Sequence, residues 1–310
     1  MTVMAYSRES RVSGGVSSLA IAVAVAGWLG LATSPAEATE GGTSQYIGGS
    51  AQFYGAGIPP FPGTYILSQT NFYAANRLND GNGNKIPIDF SLKTYSNTFR
   101  LLHVSDLKLA GADVWGQLVL PVVHGDLSIM GRGDTQTSIA DVTGTAGLVW
   151  HMDGHSLVVG LDIAAPTGRY KKENMFNIGA NHWAIQPVVG YKYFDPQGLD
   201  LSLVPRVVFN TKNTATDYTS GNELYVDYAV GWNFGPTKVG LVGYAYQQLT
   251  DDKGRGVGSD GNKGKAFAIG PSLTYSFSPG LHVSGSWQRD LVAEHRTQGN
   301  NLWVNVGFKL

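Results

Sequence analysis

The sequence predicts an all-β protein, a transmembrane antiparallel up-and-down β-barrel of about 12 strands. Three observations carry this. The apolar residues alternate with polar ones over long stretches. The connections between those stretches run long, short, long, short. Aromatic residues recur near the short-turn ends on the apolar parity. From Leu199 to Asn210, Leu199, Leu201, Leu203, Pro205, Val207 and Phe209 fall on one side, while Asp200, Ser202, Val204, Arg206, Val208 and Asn210 fall on the other. A period of two puts the two sets on opposite faces of a strand. The same alternation sets Leu224, Val226, Tyr228, Val230 and Trp232 against Asp227 and Asn233. It returns in Phe267–Phe277 and in Leu302–Leu310. An apolar face toward lipid and a polar face toward a lumen produce this pattern. By this parity Val226→Asp places a charge in lipid, whereas Asp227→Asn changes an inward position and is expected to be mild.

The first element is a leader. Arg8 and Arg11 precede an apolar, small-residue stretch from Val16 to Ala32, and Ala36-Glu37-Ala38 is an A-x-A cleavage site. These features indicate a secretory signal peptide over residues 1–38, cut after Ala38. The competing reading is a membrane anchor. Gly27, Gly30 and the cleavage site argue for removal. The formal charge of −1 shows no basic excess for nucleic acid. With no cysteine, disulfides and thiolate chemistry are excluded. The mean hydropathy of −0.08 decides nothing, because a barrel hides its lipid face in alternate residues.

Residues 39–63 follow, ending Gly57-Ile58-Pro59-Pro60-Phe61-Pro62-Gly63, too proline-rich for a sheet interior. They carry Tyr46, Ile47, Phe53, Tyr54, Ile58 and Phe61, which gain nothing from exposure to water. The segment is therefore expected to enter the lumen from the short-turn rim and plug it, with Tyr46, Phe53, Tyr54 and Phe61 as candidate plug residues. The barrel is expected over residues 64–310. Its strands are expected at 64–78, 91–105, 111–123, 139–153, 155–165, 183–194, 199–211, 223–234, 237–250, 266–278, 281–293 and 299–310. Asp153-Gly154, Asp195-Pro196-Gln197-Gly198, Phe234-Gly235-Pro236 and Ser278-Pro279-Gly280 are tight turns by their residue chemistry. Polar stretches at 79–90, 124–138, 166–182, 212–222 and 251–265 read as long loops. Both termini of the barrel then lie at the short-turn rim. Trp150, Tyr193, Trp232, Phe277 and Phe308 sit near that rim on the apolar parity, as a headgroup girdle requires.

Several stretches resemble a known family. They are Ala165-Pro166-Thr167-Gly168-Arg169-Tyr170, Gly179-Ala180-Asn181-His182-Trp183, Ser220-Gly221-Asn222-Glu223-Leu224-Tyr225-Val226-Asp227-Tyr228, Gln247-Gln248-Leu249-Thr250-Asp251-Asp252, Ala268-Ile269-Gly270-Pro271, then Trp287, Arg289 and Gln298-Gly299-Asn300. In this order and spacing they resemble the outer-membrane barrels of the meta-pathway of phenol degradation family, over about residues 40–310. The family is distantly similar to fatty-acid transporter barrels, whose N-terminal segment plugs the lumen. One departure is the end, Gly307-Phe308-Lys309-Leu310, which does not finish on an aromatic. The resemblance implies an outer-membrane channel or transporter for small hydrophobic or aromatic compounds in a Gram-negative-type cell. It implies no enzyme activity.

The inward parity carries candidate lumen-lining residues Asp141, His151, Asp162, Lys192, Arg206, Asp227 and Asp290. Such charges either pair across strands or touch solute. Arg206 and Asp227, on neighbouring strands, are expected to pair. Outer-membrane phospholipases also have barrels of this size, and Leu102-His103-Val104-Ser105 supplies an H-x-S pair. It lacks an orienting third group and an oxyanion donor, so no catalytic residue is assigned. Arg132-Gly133-Asp134 in a polar loop reads as chance, and Gly254-Arg255-Gly256-Val257-Gly258 lacks the strand–helix context of a dinucleotide site. The seven histidines show no ligand spacing, so no metal and no cofactor is expected. Asp251-Asp252 is a candidate contact for a divalent cation or the ions that bridge lipopolysaccharide. Expected partners are outer-membrane lipid, lipopolysaccharide and a small hydrophobic solute, with no nucleic acid. The alternative classes are a structural or adhesion barrel without transport, and the lipid hydrolase.

Overall fold

The computed structural model describes residues 39–42, 44–278 and 280–310. The expected signal peptide lies outside the described residues. After a short 3-10 turn at Glu40–Gly42, the strands are β1 (Gly63–Leu78), β2 (Phe90–Leu109), β3 (Ala112–Ile129), β4 (Arg132–Ile139), β5 (Val142–Met152), β6 (His155–Ala165) and β7 (Ala184–Phe194). They continue as β8 (Leu199–Asn210), β9 (Glu223–Phe234), β10 (Thr237–Gln248), β11 (Lys265–Ser278), β12 (Leu281–Glu294) and β13 (Thr297–Lys309). Each pairs antiparallel with its neighbours, and β1 closes on β13 from Tyr65↔Lys309 to Leu78↔Thr297. The result is a closed barrel whose wall has 12 positions, because β4 and β5 share one. Closure between β1 and β13 joins the wall into a ring, as lipid demands of a sheet, and among the described strands only β4, paired to β3 alone, keeps one edge free.

The shared position corrects the expected loop at 124–138. There β3 runs on to Ile129, turns at Met130-Gly131, and returns as β4 paired along Val122–Ile129. Both turn residues have positive φ, 52° and 77°, which matches the twist of a two-residue hairpin. Lower on β3, Asp113–Val119 pairs with β5 instead. In the upper part of β3 the alternation is inverted: Leu127 and Ile129 pack in an apolar cluster with Phe90, Leu92 and Phe176, while His124 and Asp126 are exposed on the other face, so the outward apolar face that marks a membrane strand is missing. Likewise β2 runs on to Leu109, past its expected end at 105, and turns at Ala110-Gly111 into β3, which starts within one residue of the expected 111.

The parity reading holds along the wall. In β8, Asp200, Ser202, Val204, Arg206 and Val208 are buried while Leu203 and Phe209 are exposed on the outside. In β9, Tyr225, Asp227 and Ala229 are buried while Val230, Trp232 and Phe234 face out. The core is therefore the barrel interior. It is filled by inward side chains and by the N-terminal segment, whose Tyr46, Ala51, Phe53, Ala56 and Ile58 are all buried.

Candidate functional site

The N-terminal segment contributes no strand, so its peptide groups must find other partners once buried. Inward polar side chains supply them. Asp227 takes three hydrogen bonds: Tyr46 Oη at 2.7 Å and Ala51 N at 2.8 Å on Oδ2, and Gly49 N at 3.1 Å on Oδ1. Gln288 Nε2 donates to the Gly49 carbonyl at 3.0 Å, and Gln69 Nε2 donates to that of Ser50 at 2.9 Å. Gly49 has φ 79°, and a Cβ there would collide with Gln288 Oε1, so only glycine fits. Lower down, Tyr54 Oη donates to Ser284 Oγ at 3.0 Å and Lys192 Nζ donates to the Phe53 carbonyl at 3.2 Å. At the short-turn rim, Lys309 Nζ donates to the Pro62 carbonyl at 3.3 Å.

Aromatic seats complete the fit. Tyr46 meets Tyr225 edge-on at 5.2 Å, and the Arg206 guanidinium lies 3.8 Å from its ring centre. Phe53 sits over a glycine pair that faces across β9 and β10. A Cβ on Gly231 would come within 2.8 Å of Phe53 Cζ, and one on Gly240 within 3.0 Å. Phe61, by contrast, is 68% exposed at the rim.

The segment spans more of the lumen than expected. It joins β1 at the short-turn rim, but its described start is held by the long loops. Glu40 N donates to Ser220 Oγ at 3.1 Å, and Asn213 Nδ2 donates to Glu40 Oε2 at 2.8 Å. Gln45 Nε2 reaches Asp141 Oδ2 and the His182 carbonyl, both at 2.9 Å. The described chain therefore begins at the long-loop end, not at the short-turn rim.

The motifs scattered through the sequence meet at that same end. Asp141 also accepts Gly168 N at 2.7 Å and Ala180 N at 2.8 Å, which fastens the loop that begins Pro166-Thr167-Gly168. Asp252 accepts Tyr218 Oη at 2.5 Å, Gly221 N and Gln248 Nε2 both at 2.7 Å, and a backbone hydrogen bond from Thr39. Burial holds its carboxyl above the usual carboxylate range despite those donors. Asp252 is 3% exposed and turned inward, which corrects its reading as a surface cation contact. Asp251 pairs with Lys263 at 3.0 Å. No cluster of three or more His, Cys, Asp or Glu suited to a metal occurs among the described residues.

The other expected inward residues form a network. Arg206 does not pair with Asp227. Its Nη1 reaches Asp162 Oδ2 at 2.6 Å and Gln186 Oε1 at 3.0 Å, across β7 to β6. The register explains this: Arg206 faces Tyr225 and Asp227 faces Val204, and the segment claims Asp227. Lys192 and Lys238 share Asp200, at 2.8 and 2.5 Å. Asp290 accepts Tyr244 Oη at 2.9 Å and Gly299 N at 3.0 Å. His151 Nδ1 meets Ser156 Oγ at 3.0 Å. The H-x-S pair is not joined, since Ser105 Oγ donates to the Val114 carbonyl and His103 Nδ1 meets Thr64 Oγ1, each at 3.0 Å. Sequence reasoning missed Gln69, Arg100, Lys238 and Gln288. Their inward parity was the available signal.

Beneath and beside the segment lies a cavity of about 890 Å³, within the range of small-molecule sites. It is lined by Phe53, Ile58, Trp115, Val158 and Val188 among others, and it reaches the short-turn residues Gly154, Pro196, Gly235 and Gly280. A second space of about 70 Å³ continues toward the long loops past Val119, Pro121 and Asp141. The two share Tyr46, Ser50, Gln69, Arg100, Asp162 and Arg206, which form a neck between them.

No curated protein sequence matches the chain. Among solved structures, an outer membrane channel from Pseudomonas putida F1 superposes with a TM-score of 0.74 at 17% identity, covering 82% of this chain and 97% of that one. The β domain of a Bordetella autotransporter superposes with a TM-score of 0.54 at 12% identity, covering 81% of this chain and all of that one. These likenesses show the outer-membrane barrel fold. The sequence model described as "Putative MetA-pathway of phenol degradation" matches residues 75–306, which is most of the barrel, and the chain belongs to that family of outer-membrane proteins.

Proposed function

We propose that this chain is an outer-membrane channel for small hydrophobic or aromatic compounds, with residues 39–62 acting as a lumen plug. The observation that carries this is the cavity of about 890 Å³, open at the short-turn rim and bounded above by the N-terminal segment. Its walls include Phe53, Ile58, Trp115, Val158 and Val188, which suit an apolar ring or chain. The family's name, which refers to phenol degradation, fits such a solute. In this reading Tyr46, Phe53 and Tyr54 restrict passage, Phe61 stands at the entrance, and Asp162, Arg206 and Asp227 fix the neck and the segment beside it. Solute passes along the side of the segment where the two spaces meet. The barrel acts as a conduit, without catalysis.

The test is uptake by the purified mature protein in liposomes, comparing phenolics with sugars. Phenolics should enter faster than sugars of similar size. Deleting residues 41–60 while keeping the signal cleavage site should raise single-channel conductance in planar bilayers and relax the preference. Equal uptake of both solute classes by the intact chain would reject the solute class. Unchanged conductance after deletion would reject the plug.

A further inference from the structure

The charges around the cavity are unbalanced and tiered. Its lining carries Arg100, Lys192, Arg206, Lys238 and Lys309 against only two carboxylates, Asp162 and Asp200. Lys192, Lys238 and Asp200 lie at the short-turn ends of their strands, whereas Arg100 and Arg206 lie mid-strand. Val158 lies between the two levels in the strand register, with Ile58 and Trp115 packed against it, and Val188 stands beside Arg206 as its cross-strand partner. A solute entering from the short-turn rim therefore meets positive charge, then apolar surface, then positive charge again. Low-dielectric walls strengthen that field.

The deep tier carries unused donors. Arg100 Nε gives its hydrogen to Gln69 Oε1 at 2.5 Å, and its terminal amino groups have no hydrogen bond or ion pair among the described residues. Arg206, with a side chain 8% exposed, spends Nη1 on Asp162 and Gln186. Its Nε and the Nε2 of Gln186 are buried donors with no acceptor within reach. Asp162 is already engaged by Thr145 Oγ1 at 2.7 Å. A buried unpaired donor is costly, but these two atoms are shut off from the cavity, so the donors that face a solute are the terminal amino groups of Arg100, which lines both spaces. Planar bidentate recognition of a carboxylate is what guanidinium geometry favours.

We propose that the neck at Arg100 and Arg206 is a recognition site for the carboxylate of a small aromatic acid, with its ring held against the apolar surface below. The inference rests on the channel reading and narrows its solute class. The carboxylate is held by the Arg100 amino groups beside Arg206, and the ring lies toward Trp115 and Val158. The lysine tier at the rim concentrates the anion before it reaches the neck.

Isothermal titration of the purified full-length mature protein in detergent tests this with three probes: benzoate, its neutral isostere benzamide, and acetate, the anion without a ring. Benzoate should bind at least about tenfold more tightly than benzamide, and acetate should show no saturable binding. Arg100→Gln should bring benzoate to the level of benzamide and leave benzamide unchanged, with heat-modifiable gel migration reporting an intact barrel. Benzoate binding no tighter than benzamide in the unmodified protein overturns the proposal, whether or not the variant folds. So does equal binding of acetate, or a benzoate preference that survives Arg100→Gln. Liposome uptake of benzamide separates the two claims. If benzamide enters without any benzoate preference, the recognition site fails and the channel reading stands. If neither ring compound enters, both fail.

Discussion

Replacing Asp227 by Asn should loosen the N-terminal segment without unfolding the barrel. Parity alone made this substitution mild, but the carboxylate does more than face inward. It accepts Tyr46 Oη at 2.7 Å and Ala51 N at 2.8 Å on one oxygen, and Gly49 N at 3.1 Å on the other. An Asn side chain has one carbonyl oxygen. If that oxygen keeps Tyr46 and Ala51, the amide nitrogen faces the Gly49 N–H, donor against donor. The bond lost had a charged acceptor and is worth ~1.5–3 kcal/mol. The surviving two bonds also lose their charge assistance. A shift of ~1.4 kcal/mol is tenfold in a two-state ratio, so the seated-to-released ratio of the segment should fall by tenfold or more. None of these bonds belongs to the sheet ladder, so heat-modifiable migration should be unchanged. Hydrogen exchange at Gly49 and Ala51 should accelerate, and single channels in planar bilayers should spend longer in a high-conductance state. Asp227→Ala should go further, because it strands all three donors. A folded Asp227→Ala barrel with native exchange at both amides and native conductance would show that Asp227 does not seat the segment.

Val226→Asp should impair folding into bilayers, since Val226 points outward while Asp227 beside it points inward; a midplane charge costs ~2–4 kcal/mol for Lys or Arg and less for Asp, and equal folding yields for Val226→Asp and Asp227→Asn would refute the parity. Phe53→Ala should raise conductance in a folded barrel, because losing a buried phenyl ring from its seat over Gly231 and Gly240 costs ~3–5 kcal/mol; native conductance would leave the seat without a role. The mature chain should begin at Thr39 by intact mass and fractionate with outer membranes, and its new ammonium group then stands beside the inward Asp252 carboxyl. Recovery of the chain as a soluble periplasmic species would end the membrane reading.

The wall was legible in the sequence because lipid outside and a polar lumen inside force an alternation that nothing else in the chain imitates. From β5 onward the expected strands match within a few residues, and Leu199–Phe209 gives the parity directly. The pattern is lost where that contrast reverses. In the upper part of β3, Leu127 and Ile129 pack with Phe90 and Leu92 in an apolar cluster while His124 and Asp126 are exposed on the other face, so β3 and β4 continue there without an outward apolar face and read as a loop. The Arg206–Asp227 pair failed for another reason. Neighbouring strands fix which residues are near, but not which competitor wins, and the amides of Gly49 and Ala51 won Asp227. The course of the segment to the long-loop end was hidden altogether, because an irregular chain has no period. The inward glycines Gly190, Gly231 and Gly240 were a visible trace of it, since they leave room on the polar parity for Ala56 and the Phe53 ring.

The way the segment is held bears on how it could yield. A segment paired into the wall as a further strand would have to break a ladder to move. This one is fastened by side chains of the wall to its own carbonyls and amides, through Gln69, Lys192, Asp227 and Gln288. Each such bond contributes only about 0.5–1.5 kcal/mol net, or ~1.5–3 where a charge takes part, and each can be released singly. The neck is governed by fewer still. Tyr46 lies under the Arg206 guanidinium, which is itself held by Asp162 and Gln186 from the wall. Displacing one tyrosine ring would join the lower space to the upper one while Phe53 stays over Gly231 and Glu40 stays with Ser220 and Asn213. If the chain conducts a small solute as proposed, movement of the Tyr46 ring at mid-barrel widens the route without withdrawal of the segment. On this reasoning Tyr46→Ala should speed phenolic uptake into liposomes while leaving exchange at the Glu40 amide native. Loss of Glu40 protection in step with faster uptake would instead mean that the segment leaves as a unit.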